Sequence, residues 1–306
     1  MKKCFIYGNC QTRIIKDLLE KNENFTSTYQ ISDIRMVHLL TEKDIPQLQE
    51  TVTSTDLFIH QNISDNYRGF EELGTNYLRS KTKANCQIIS VPVSYLAGYN
   101  PELIYFKNYQ NNYTKWEFSD YHDFHILNLF YQKKSPSQII EIIQEPDFYK
   151  EQYAIRNLDI SLNMLMNREK NIDIKISGFI KKYYQKYRLF HTFNHPSSAI
   201  MHYIVSKILQ QINLLDSFDE KQVFNQPEVL NNTCFPIYPS IQRQLQLSFA
   251  SNPKYKLKSK SFFIDEVVNK FCEFYSNNHD LVEYNVNLVQ KKFSAFTKYQ
   301  IPICIN

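Results

Sequence analysis

A chain of 306 residues, 43% hydrophobic and 22% charged, can bury a substantial core as one large domain or two intimate ones. Its net charge of +4 is too small to argue for nucleic acid, and no apolar run approaches the length of about 18 residues that a membrane span needs. Six cysteines at positions 4, 10, 86, 234, 272 and 304 form no CxxC pair, and Met1-Lys2-Lys3 precedes only four apolar residues, so the expectation is a cytoplasmic protein with reduced thiols and no signal peptide.

The first 110 residues alternate strands and helices. The patterning predicts strands at 3–7, 26–31, 56–60 and 87–91, with helices at 12–21, 44–53 and 70–80 between them. Alternation of this kind predicts an α/β fold with a small parallel sheet flanked by helices. From about residue 118 the pattern is helical, over 120–132, 135–144, 147–170, 175–188, 196–213 and 262–277. Residues 225–239 hold Pro227, Pro236 and Pro239 and read as a long ordered loop. The division suggested is an α/β catalytic part at 1–115 and a predominantly helical part at 116–306 packed on it, or one single domain.

Gly8-Asn9-Cys10-Gln11 follows the first strand and precedes the first helix. A strand that turns sharply into a helix presents the turn at free N–H groups and the positive end of the helix dipole. Anions are favoured there, and a thiol loses its proton more easily. Ligands of parallel sheets bind at the carboxyl ends of the strands. The third strand ends on His60, so Cys10 and His60 would face each other across one crevice if the strands are neighbours. A thiol beside an imidazole can form the ion pair that a cysteine nucleophile requires. Asn9 and the amides of Cys10 and Gln11 could hold an oxyanion. The alternatives are a buried structural cysteine, a His60 that only caps its strand, and ordinary turn chemistry for Asn9.

His191-Thr192-Phe193-Asn194-His195-Pro196 is the second dense stretch. Asn194 or His195 could cap the following helix, with Pro196 at its first position. His122 and His125 lie one helical turn apart, but nothing ties them to His191 and His195, and no metal is expected. There is no Gly-x-Ser-x-Gly elbow, no Walker-type loop and no dinucleotide fingerprint.

The ordered set of blocks resembles the WcbI-type polysaccharide biosynthesis proteins associated with bacterial capsule clusters. The blocks are Tyr7-Gly8-Asn9-Cys10-Gln11, Phe58-Ile59-His60-Gln61, Ser64-Asp65-Asn66-Tyr67-Arg68-Gly69, Val91-Pro92-Val93-Ser94-Tyr95, Gly98-Tyr99-Asn100-Pro101-Glu102, Arg168-Glu169 and the stretch from Leu189 to Ser197, together spanning about 3–215. The resemblance implies binding of coenzyme A or acetyl-coenzyme A and O-acetyl transfer to a capsular polysaccharide or its sugar precursor. It also implies contact with the capsule biosynthesis machinery and an SGNH-like N-terminal part, in which Cys10 stands where those esterases carry serine. The Asp-x-x-His block of true SGNH hydrolases is not recognisable. By the same resemblance Cys10 and His60 fall on the catalytic pair, with Asn9 holding the oxyanion and Gln11 orienting the acyl group or His60. Gly8, Arg68, Arg79, Lys81, His191, Asn194 and His195 are the candidates for coenzyme contact. The alternatives are a cysteine-dependent esterase or deacetylase, and a non-catalytic binding protein of capsule assembly. Residues past 215 match nothing in the family's pattern.

Overall fold

Four short apolar segments near the N-terminus pair into one parallel sheet. They are β1 (Lys2–Tyr7), β2 (Tyr29–Ile31), β3 (Leu57–Gln61) and β4 (Gln87–Val91), in the order β2-β1-β3-β4. The structure is a computed structural model, and it describes residues 1–33, 35–110, 112, 120–249 and 254–296. The central strand β3 is buried throughout, as expected for a parallel strand covered on both faces. Register places Phe5 beside Phe58, and Tyr7 beside His60, which in turn pairs with Ser90.

Successive strand residues face opposite sides. Phe58 and His60 therefore share one face, where Phe5 stacks on Phe58 at 5.3 Å and Leu48, Val52 and Leu78 complete the core. Those last three residues belong to α3 (Ile45–Thr53) and α4 (Thr75–Lys81). On the other face α1 (Cys10–Leu19) packs with α9 (Ser198–Gln211). The intervening helices are α2 (Glu23–Thr28), α5 (Phe124–Tyr131), α6 (Pro136–Gln144), α7 (Tyr153–Arg168) and α8 (Ser177–Tyr183). The predicted α/β class, a small parallel sheet flanked by helices with a largely helical remainder, is what the chain forms.

The chain divides into two compact units. The first comprises Met1–Ser94, Met164–Lys182 and Ser197–Val229. The second comprises Tyr95–Asn163, Tyr183–Pro196 and the described residues of Leu230–Asn306. Each unit draws on three segments that alternate along the sequence. In the second unit α5 packs against α6, α11 (Ile264–Ser276) and α12 (His279–Phe296). Its strands are short: β5 (Leu103–Tyr105) with β6 (Tyr121–Asp123), β7 (Phe190–Thr192) with β8 (His195–Pro196), and β9 (Thr233–Cys234), β10 (Tyr255–Leu257) and β11 (Lys260–Phe262) in a three-stranded sheet.

Four local expectations change. The strand expected at 26–31 is helical to Thr28, because the Asn22 side chain accepts from Phe25 N–H and the Thr26 and Thr28 hydroxyls donate to backbone carbonyls one turn back. The helix expected from 120 starts only at Phe124, after a strand, with Asp123 as its cap. The helix after Pro196 is preceded by Ser197 at the cap position, while His195 and Pro196 sit in β8, so neither Asn194 nor His195 caps it. The expected loop at 225–239 contains β9, and Pro239 opens α10 (Pro239–Gln244).

Candidate functional site

The turn after β1 is built on a close approach. A Cβ at Gly8 would lie 2.5 Å from Gln61 Oε1 and 2.6 Å from Thr12 Cγ2, so any side chain there forces these neighbours to shift. Gln61 Oε1 accepts from the Asn9 N–H at 2.9 Å. The Asn9 side chain caps α1 by accepting from the Gln11 N–H at 2.9 Å. Gln11 is buried and clamps the segment after β4: its Nε2 donates to Ser94 O at 2.8 Å, and its Oε1 accepts from Ser94 N–H at 2.9 Å. Gln61 Nε2 adds bonds to Gln11 Oε1 at 3.3 Å and to Pro92 O at 3.2 Å. Gln11 and Gln61 thus brace the turn.

Cys10 occupies the first position of α1 and is exposed. Protein atoms crowding the sulfur raise its thiol above the ordinary range, against a lowering by the Cys10 and Gln11 amides. The helix N-terminus therefore acts in the expected direction but does not prevail. The Asn9 Nδ2 has no hydrogen-bond partner among the described residues.

His60 is fully buried. Its Nδ1 lies 3.2 Å from Gln61 O, and its Nε2 has no partner among the described residues. Burial pushes the ring down to about 4, with the Arg79 charge helping and Asp173 opposing, so it is neutral at neutral pH. Alternation puts the ring on the α3–α4 face of β3, while its neighbour Gln61 meets the turn. The structure joins β3 to the turn through Gln61, and no hydrogen bond links His60 to Cys10 among the described residues.

A cavity of about 580 Å³ opens at the carboxyl ends of β1 and β2, lined among others by Gly8 and Thr12, by the cations Arg13, Lys16 and Arg35, and by the carboxylates Asp17, Glu20, Asp33 and Asp44. Gly8 and Thr12 flank Cys10 in sequence, so the cavity adjoins the turn. Lys16 pairs with Asp33 at 2.7 Å and Arg35 with Asp44 at 2.6 Å, while the exposed Arg13 has no ion-pair partner among the described residues. Sequence reasoning passed over these three cations. The available signal was the spacing of Arg13 and Lys16, three apart on the helix that begins at the turn.

The predicted cations lie elsewhere. Arg68 donates from Nη1 to His38 O at 2.9 Å and Leu40 O at 3.2 Å, which ties a loop. Lys81 sits 5.1 Å from the Tyr77 ring centroid, and Arg79 is exposed on α4. In the second unit Asn194 Oδ1 accepts from Tyr121 OH at 2.6 Å and its Nδ2 donates to Tyr105 OH at 2.9 Å. His195 Nε2 lies 3.3 Å from Tyr121 OH, and His191 is buried on β7. His122 and His125 are held by Tyr275 OH at 3.0 Å and Tyr149 OH at 2.7 Å.

The family profile of the polysaccharide biosynthesis enzyme WcbI matches residues 3–217. The chain belongs to this family. A solved WcbI structure superimposes with a TM-score of 0.74 at 22% identity, over 94% of this chain and 98% of that one. That protein is described as a novel polysaccharide biosynthesis enzyme, in its native form without a disulfide bond between coenzyme A and one of its cysteines. At this identity the likeness speaks for the fold, and it extends past the end of the WcbI family match. No curated protein sequence matches the chain. No helix among the described residues is long and apolar enough to cross a membrane.

Proposed function

We propose that this chain is a coenzyme-A-dependent O-acetyltransferase acting on a surface polysaccharide or its sugar precursor. One observation carries the reading: an exposed cysteine opens α1 between Gly8 and Thr12, which line a cavity at the strand ends together with the exposed Arg13. Membership of a polysaccharide biosynthesis family supports the acceptor class, and the pairing of coenzyme A with a cysteine in the WcbI neighbour's description supports the donor.

In this reading Arg13, Lys16 and Arg35 meet the coenzyme phosphates, and the thioester lies against Cys10. The acceptor hydroxyl oxygen attacks the thioester carbonyl carbon, the carbon–sulfur bond breaks, and coenzyme A leaves as its thiol. The Cys10 N–H and Asn9 Nδ2 would donate to the carbonyl oxygen as it gains charge. His60 is the base: its ring is neutral at working pH and its Nε2 is uncommitted among the described residues. Crowding holds Cys10 protonated, which favours a wall of the thioester site over a nucleophile.

Isothermal titration with coenzyme A and acetyl-coenzyme A tests the donor. Micromolar binding, weakened about tenfold by Arg13→Ala, is expected, a change of about 1.4 kcal/mol. His60→Gln should lower acetyl transfer by roughly 10²–10⁴-fold with binding retained. No binding by the unaltered protein would remove the reading, and near-normal turnover in His60→Gln would take that residue out of it.

A further inference from the structure

The latter part of α9 carries Tyr203, Lys207, Gln210 and Gln211 at helical spacing, which puts them on one face. That face lines a second cavity, of about 380 Å³, together with Asp173, Ile174 and Lys175. Small-molecule sites run from about 300 to 1,000 Å³. This cavity shares no lining residue with the one beside Cys10. β4, an outer strand of the sheet, holds both of its walls. Gln87 Nε2 donates to Gln211 O at 3.1 Å on the helix side. On the other side Ser90 N–H and Oγ donate to Asp173 Oδ2 at 2.7 and 2.5 Å, Asp173 N–H donates to Ser90 Oγ at 2.9 Å, and Ile174 N–H donates to Ser90 O at 3.1 Å.

Asp173 is thus fixed through one oxygen, and its Oδ1 has no hydrogen-bond partner among the described residues. Lys207 is half-buried, its Nζ lying 5.5 Å from the Tyr203 ring centroid, 5.7 Å from that of Phe218 and 3.2 Å from Gln210 Oε1. The neighbouring Lys182 is taken by Glu220 at 2.8 Å, whereas neither Lys175 nor Lys207 has an ion-pair partner among the described residues. The cavity therefore offers a carboxylate oxygen, two ammonium groups and two primary amides, the amides able both to donate and to accept.

Charges of both signs narrow the ligand. A bare phosphate meets Asp173 as a repelling neighbour, and a neutral sugar leaves both ammonium groups unused. A nucleobase finds no open ring to stack on, since Tyr203 is 8% exposed, packs on Phe179 at 4.4 Å between centroids and lies under Lys207. We propose that this cavity binds a hexose unit bearing one acidic group. The sugar hydroxyls donate to Asp173 Oδ1 and exchange hydrogen bonds with the Gln210 and Gln211 amides, while the acidic group meets Lys175 and Lys207. A sugar ligand accords with the family's place in polysaccharide biosynthesis. The inference concerns a site separate from the proposed acetyl-transfer site and stands without that reading. Its acidic group is the carboxylate of a uronic acid or the phosphate of a sugar phosphate, and the test separates the two.

The test titrates the full-length protein with glucuronate, glucose 1-phosphate, glucose and inorganic phosphate, followed by ligand-observed NMR. At least one of the two acidic sugars should bind about tenfold or more tightly than glucose and phosphate, and the one that does so names the acidic group. Lys207→Gln and, separately, Lys175→Gln should each weaken that binding about tenfold. Lys175 is exposed, so its variant decides the matter if Lys207→Gln does not fold. No binding of either acidic sugar would overturn the proposal. So would inorganic phosphate binding as tightly as the acidic sugars. An affinity that falls in Arg13→Ala but holds in Lys175→Gln would overturn it too, by moving the sugar to the cavity beside Cys10.

Discussion

Gly8 leaves little room for a side chain, because β3 delivers the Gln61 amide into the space a Cβ would fill. Gly8→Ala must push that amide away, and the Asn9 N–H then loses its acceptor. A cost of about 1–3 kcal/mol is expected, as for overpacking a tight site. Urea denaturation of the purified variant measures it, and an unchanged midpoint would mean the turn relaxes freely. The same crowding explains why the two glutamines matter more than composition suggests. Each makes several hydrogen bonds to backbone or to the other, and none of this shows in the residues beside them in sequence.

At the scale of elements, α5 begins inside a buried acidic pair. Asp123 caps it, accepting from His125 N–H at 2.9 Å and Ile126 N–H at 3.2 Å, while Tyr238 OH donates to its other oxygen at 2.6 Å. Burial raises Asp123 to about 6 and pushes Glu102 well above its usual range, the nearby Asp123 charge adding to it. Raised carboxyls hold their protons longer in the folded chain. Their stabilising contribution is thus complete below the unfolded values near 4 and is lost as pH rises through the folded ones. Glu102→Gln keeps an acceptor for Asn100 Nδ2, now 2.9 Å from Glu102 Oε1, and removes the titration. Thermal melts should show little difference at pH 4 and a variant more stable by about 1–3 kcal/mol at pH 8. Equal melting at pH 8 would count against a strained acid.

Elements also mark how far the sequence can be read. The strands at β1, β3 and β4 were legible because a parallel strand covered on both faces is a short apolar run. The strand expected at 26–31 failed because Asn22 and the two threonine hydroxyls offer the backbone a helical alternative that hydrophobic pattern does not weigh. At the site, the turn after β1 and the place of His60 on β3 could be read from position in sequence. Gln11 was named for orienting the acyl group or His60 and not for bracing the turn, while Gln61 and the cavity cations were passed over, since their contacts are distant in sequence.

For the whole molecule, the WcbI family match ends at residue 217, but the first compact unit continues to Val229. The tail of that unit is bonded to the start of α9: Ser198 N–H donates to Glu228 Oε2 at 2.9 Å, Ser198 Oγ donates to Pro227 O at 2.7 Å, and Val229 N–H donates to Ser198 Oγ at 2.8 Å. A chain cut after residue 217 is expected to lack cooperative unfolding and to be digested by trypsin faster than the full chain. A sharp melt from that fragment would show that the family-matched segment is self-sufficient.

The packing of α1 on α9 has a further consequence during synthesis. The four strands of the sheet have left the ribosome long before α9 is made, roughly a hundred residues later, which at about 5–20 residues per second is a wait of some seconds. Throughout that interval the nascent sheet presents the apolar side of α1, with Ile15, Leu18 and Leu19, without the helix that will cover it. Translation speed and chaperone supply should therefore govern the yield of this protein more than the stability of its finished fold.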